Sequence, residues 1–128
     1  GQFALSIGNK FYRAAVAEDP KKPASFEAAL VYLHFADSTI VDADSRGNAK
    51  FLIGVSSYYI AAGLAQGLQA SRSCEEAKTA QAAATTSMIY TQAGGKTSPE
   101  SAGQILGAIG QLSPYLDGSV KTLCKSTP

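Results

Sequence analysis

One short pattern, present twice, constrains this chain more than anything else in it. Ser25-Phe26-Glu27-Ala28-Ala29-Leu30 is followed by Tyr32 and Ala36, and 48 positions later come Ser73-Cys74-Glu75-Glu76-Ala77-Lys78, then Ala80 and Ala84. Each copy starts with a serine able to cap a helix, with glutamate close behind. Each then places alanine at two positions seven apart, on one helix face, where its small side chain lets a neighbouring helix come close. A helix repeated in this way implies stacked helical pairs, an architecture used more for binding protein than for catalysis.

The rest of the chain reads as helices joined by short turns. Phe3, Ile7, Phe11 and Ala14 recur at helical spacing and predict a first helix over 3–17. Asp19-Pro20-Lys21-Lys22-Pro23 ends it, and Ser25 caps a second helix running to about Ile40. Val41 to Gly47 reads as an Asp-rich loop. A long apolar helix follows from Asn48 to about Gln69, in which Gly63 and Gly67, four apart, suit a close helix crossing. A fourth helix runs from Ser73 to about Thr91 and stops at Gly94-Gly95. Ser98-Pro99-Glu100 starts a fifth, to about Leu112, and Ser113-Pro114 separates a sixth that reaches Cys124. Six helices in three antiparallel pairs give an all-α, solenoid-like array without a β-sheet. It forms a single domain over 1–128, with hairpins at about 3–41, 48–93 and 98–125, the last acting as a C-terminal cap.

These residues resemble the tetratricopeptide repeat. In that family the second helix of a repeat reads aromatic-Glu-Glu-Ala-Leu with a further small residue seven after the alanine. Phe26-Glu27-Ala28-Ala29-Leu30 with Ala36 follows it, and Cys74-Glu75-Glu76-Ala77 with Ala84 follows it with cysteine in the aromatic place. Ile7-Gly8 with Phe11 and Ile53-Gly54 with Tyr58 look like the Leu-Gly step and aromatic of the family's first helix. The resemblance covers about residues 3–91 and departs in spacing: 21 positions separate Gly8 from Ala29 and 23 separate Gly54 from Ala77, both longer than the family spacing. The resemblance implies protein–protein interaction on a curved surface and no shared catalytic residue or cofactor.

Charge points the same way. Lysine plus arginine number 11 and aspartate plus glutamate 10, interspersed, so nothing here matches the basic stripe of a nucleic-acid binder. Only 16% of residues are charged, and none lies between Phe51 and Ser71. A neutral, small-residue surface favours contact with other protein, including copies of the same chain. The uncharged stretch Phe51–Leu68 is long enough to cross a membrane, but its serines, Gln66 and two tyrosines favour a buried central helix.

The two cysteines, Cys74 and Cys124, fit one disulfide in an oxidising compartment, extracellular or periplasmic; the alternative is a pair of free buried thiols. The opening Gly1-Gln2-Phe3, without methionine, reads as a processed product.

Chemical motifs are thin. His34, the single histidine, sits near Tyr32 and Asp37 with no nucleophile placed beside it by a motif, and reads as structural. Asp42-Ala43-Asp44-Ser45-Arg46-Gly47 begins like a calcium loop, but Arg46 takes a ligand place and Ile53 stands where a bidentate glutamate belongs. Gly103, Gly107 and Gly110 lack the lysine of a phosphate loop and read as helix-packing positions. Tyr12, Tyr32, Tyr58 and Tyr59 are the candidate partner-contact aromatics. The expectation is therefore a non-enzymatic assembly module that associates with itself into an oligomer or polymer such as a filament, without cofactor, metal, nucleic acid or membrane span. Its alternatives are an adaptor holding a peptide in a concave groove and a small enzyme using His34.

Overall fold

A computed structural model describes residues 8–10, 12–14, 23–39 and 43–125. Among these there is no strand: the protein is all helical. Residues 8–10 and 12–14 are helical, in line with the expected first helix; the remainder of 3–17 lies outside the described residues. Four longer helices follow: α1 (Pro23–Thr39), α2 (Ala43–Ser71), α3 (Cys74–Gly94) and α4 (Pro99–Leu123), with a 3-10 turn, Gly95–Thr97, between the last two.

Successive helices are antiparallel, as the side-chain partners show. Asp37 near the end of α1 meets Lys50 near the start of α2. Phe51 and Gly54 of α2 meet Gly94 and Thr91 at the far end of α3. Cys74 at the start of α3 meets Cys124 after the end of α4. Each helix packs chiefly on its sequence neighbour, and α4 also touches α2, so α2, α3 and α4 enclose a common core. That core holds Ala61, Ala65 and Leu68 of α2, Ala77, Ala80 and Ala84 of α3, and Ile109 and Leu116 of α4. A second region joins α1 to α2 through Ala29, Leu33, Leu52 and Ile53, and a third through Phe26 and Ile60.

The repeated alanines do what their spacing predicts. Ala29 and Ala36 of the first copy, and Ala77, Ala80 and Ala84 of the second, are all buried. In α3 the series continues: Ala77, Ala80, Ala84, Ser87, Thr91 and Gly94 are its buried residues, alternating three and four apart. This is the seam period of a helix pair in steady contact, built entirely from small side chains. It brings backbones together. A Cβ on Gly54 would lie 2.7 Å from the Thr91 nitrogen, and one on Gly94 would lie 2.5 Å from the Gly47 carbonyl oxygen. The Ser87 hydroxyl donates to the Gly54 carbonyl at 2.6 Å, whereas the Thr91 hydroxyl beside the same glycine is buried without a hydrogen-bond partner.

Several boundaries differ from expectation. α1 begins at Pro23, so Ser25 lies inside its first turn instead of capping it. Residues 43–47 form the first turn of α2 and not a loop; Asp and Gly there are tolerated because Ala49, Leu52 and Ile53 just beyond are buried and anchor the helix. Ser73 does cap α3, accepting from the Glu76 N–H at 3.1 Å. The close crossing lies at Gly54 and Gly94, not at Gly67, which has open space around its Cβ direction. Gly103, Gly107 and Gly110 likewise face open space and are not helix-packing positions.

The largest correction concerns Pro114. It does not separate two helices; α4 runs through it from Pro99 to Leu123, so the expected C-terminal hairpin is one helix. An interior proline removes the hydrogen bond to the carbonyl four residues back and costs about 3 kcal/mol. Here that carbonyl belongs to Gly110, and both residues are exposed, so water can serve it. Meanwhile Ile105, Ile109, Leu112, Leu116, Val120 and Leu123 pack on one core, three and four apart, on both sides of the proline. Their shared burial outweighs the lost bond. Pro114→Ala is therefore expected to raise stability by about 1–3 kcal/mol, read as a higher midpoint in urea unfolding with unchanged slope; an unchanged or lower midpoint would show that the proline is not a defect in this helix.

Candidate interaction surfaces

The four tyrosines singled out from the sequence fall into three settings. Tyr12 meets Phe26 edge-on at 6.0 Å, and Tyr59 stacks on the same ring at 4.8 Å, so both serve the packing around α1 and α2. Burial, and then the neighbouring Tyr59, raises the pKa of the Tyr12 phenol above its ordinary value, keeping it neutral. Tyr32 lies at the surface of α1. Tyr58 is half-buried at the edge of the main core and tilts against Tyr59 at 5.5 Å.

Beside the α1–α2 junction is the strongest charged cluster. Lys50 Nζ lies 2.9 Å from Asp37 Oδ1 and 5.5 Å from the centre of the Tyr90 ring, while Arg46 Nε stands 3.8 Å from Asp37. His34 contacts the same Tyr90 ring edge-on at 5.4 Å. The imidazole is exposed, and its ring contact joins α1 to α3. This arrangement clamps three helices together. Among the described residues no group of three or more His, Cys, Asp or Glu is placed to hold a metal ion.

Cys74 and Cys124 lie with their sulfurs 2.04 Å apart and their Cα atoms 4.9 Å apart, so they form the disulfide that their even count suggested. The bond joins the start of α3 to the end of α4, opposite the Gly95–Thr97 turn that links the same two helices at their other ends. A side-chain hydrogen bond, Gln81 Nε2 to Asp117 Oδ1 at 2.8 Å, sits between them. The Cys74–Cys124 disulfide is compatible with an oxidising environment.

Two surfaces stand out. The first is the outer face of α1, where Val31 and Phe35, one turn apart, are 68% and 58% exposed. The sequence signal was present: the buried stripe Phe26, Ala29, Leu33 and Ala36 leaves Val31 and Phe35 on another side. The second is a groove between α2 and α4 on the side away from α3. It holds two cavities of about 400 Å³ each, which meet at Tyr115. Tyr58 lines one of them; Arg72 lines the other. Arg72 has a left-handed backbone, φ 50°, directly after α2, and its N–H closes that helix by donating to the Leu68 carbonyl at 2.8 Å.

Within Ser45–Ser71 of α2, an 18-residue stretch with mean hydropathy 1.3 makes the helix long and apolar enough to cross a membrane. In the fold it is the central helix, packed against α1, α3 and α4, which accounts for the same composition. No family model matches the chain, and comparison with curated proteins and with solved structures finds none that is similar.

Proposed function

We propose that this chain is a non-enzymatic structural subunit that associates head to tail with copies of itself, in an extracellular or periplasmic assembly. The observation that carries the reading is the exposure of Val31 and Phe35 on α1. Large apolar side chains one turn apart on an outer helix gain most from being covered by another protein surface. On the last helix, α4 turns Gly103, Gly107 and Gly110 outward, with nothing near their Cβ directions. Four and three apart, they make a shallow furrow along one helix face. The knobs of one copy fit the furrow of the next. The contact sets α1 of one copy against α4 of the next, helix on helix as in a tetratricopeptide-like array. Because the two faces differ, the contact is heterologous, and unless its rotation closes a ring it produces a filament.

The test is the mass in solution. Sedimentation velocity on the wild-type chain is expected to show oligomers that grow with concentration, and electron microscopy to show rings or fibres. The double variant Val31→Glu/Phe35→Glu and the single variant Gly107→Leu are each expected to give monomers with unchanged helical circular dichroism. A wild-type chain that stays monomeric at high concentration would sink the reading.

A further inference from the structure

We propose that the α2–α4 groove is a binding site for a long-chain monocarboxylate, its acyl chain along the helices and its carboxylate on Arg72. This stands apart from self-association, since neither Val31 and Phe35 nor Gly107 lines the groove.

Three observations select this ligand. The groove wall is mostly apolar, with Ala62 and Leu112 at one cavity and Leu68 and Leu123 at the other, while Gln66, Gln69, Gln111, Ser119 and Thr122 supply its polar part. Arg72 is the one charged residue among those lining either cavity, and its guanidinium has no ion pair among the described residues. A single uncommitted cation at one end of a largely apolar trough complements a single anion at one end of an apolar chain. The length also agrees. Tyr58 and Arg72 mark opposite ends of the groove on α2, separated by roughly 20 Å at the rise of an α-helix, slightly more than the roughly 15 Å depth of one acyl layer in a bilayer.

The walls also argue against an extended peptide. Both are helices whose backbone groups already bond within the helix, so no free strand edge is offered. Tyr115, 43% exposed where the two cavities meet, can lie over the chain as it passes. The left-handed conformation of Arg72 belongs to the same picture. Glycine serves that backbone position with less strain, yet the residue there is the one that carries a charge to the groove.

The probe is dansyl-labelled undecanoate below its micellar concentration, followed by the rise in dansyl fluorescence and displaced by unlabelled palmitate. Saturable binding is expected, with octanoate displacing on the order of a hundredfold less well than palmitate, because each methylene lies against the wall. The methyl ester of palmitate is expected to compete at least tenfold less well than the acid, since it lacks the charge that Arg72 meets. Arg72→Gly should weaken binding by about tenfold or more while raising the melting temperature by about 2–5 °C through relief of the left-handed strain. Opposite movements of this kind exclude loss of folding as the cause. Gly118 lines the cavity beside Arg72 and has open space at its Cβ. Gly118→Phe should therefore fill the site and abolish binding without lowering stability. No saturable binding, equal competition by the methyl ester, or equal displacement by an apolar hexapeptide with a free carboxylate would overturn the proposal. Binding only to vesicles of anionic lipid would move the site to a membrane surface, and loss of self-association in Gly118→Phe would assign the groove to a second copy; either result also overturns it.

Discussion

Gly54→Ala is expected to cost about 3 kcal/mol of stability, while Gly107→Ala, the same chemical change on another helix, gains about 0.5–1 kcal/mol. The difference lies in what the new methyl group meets. At Gly54 it would press on the Thr91 side chain and stand 2.7 Å from the Thr91 nitrogen and 3.0 Å from its Cα. Backbone cannot rotate out of the way as a side chain can, so α2 and α3 must move apart. Separation would loosen the whole seam from Ala77 to Gly94 and disturb the hydrogen bond from Ser87 to the Gly54 carbonyl. At Gly107 the methyl group meets nothing within 4 Å, and the helix keeps only the benefit of replacing its most flexible residue. Urea unfolding of the pair reads both signs in one experiment. Should Gly54→Ala prove neutral, the backbones of α2 and α3 are not in contact there.

This contrast also explains what the sequence disclosed and what it withheld. Periodicity identified helices throughout, and the repeated pattern identified Ala29, Ala36, Ala77, Ala80 and Ala84 as contact positions, all of which are buried. The glycine steps at Gly8 and Gly54 were likewise meaningful: a Cβ on Gly8 would press on Leu33, and one on Gly54 on Thr91. Yet glycine in a helix is ambiguous from sequence alone. It can mark a backbone approach, as at Gly54, or an open face, as at Gly103, Gly107 and Gly110. What separates the cases is the company each keeps. The stripe from Ile105 to Leu123 already assigns the buried side of α4, and the three glycines fall away from it. Reading that stripe through Pro114 would also have shown one helix instead of two. A proline is a strong local signal, but here the local cost of about 3 kcal/mol is set against six apolar side chains sharing one core.

The groove was the least legible feature. Its lining comes from two helices about fifty residues apart in sequence, and no local pattern in either helix announces that they meet. Arg72 is one of eleven lysine and arginine residues, and nothing in its local sequence sets it apart. Only the packing of α4 back against α2 makes it the charged end of a largely apolar trough. The disulfide was more accessible, because a lone pair of cysteines leaves a single pairing to consider.

Removing that disulfide by Cys74→Ser/Cys124→Ser is expected to lower stability by about 4 kcal/mol, from the chain entropy of a loop of about 50 residues. Domains of this size have total stabilities of about 5–15 kcal/mol, so the loss is a large share. The effect should be uneven. α3 keeps its contacts with α2 through the small-residue seam, whereas α4 is joined to the bundle only by the Gly95–Thr97 turn and its packing. With the bond gone, amide exchange is therefore expected to quicken first in the C-terminal half of α4, around Leu116 to Leu123, and only later in α3. Those residues also form one wall of the groove, so the reduced protein should bind the acyl probe more weakly than the oxidised one before it unfolds. Alkylation before reduction should leave the mass of the native protein unchanged. If two thiols are labelled instead, the cross-link is not formed in solution, and the C-terminal helix is held by the packing of Ile109, Leu116 and their neighbours alone.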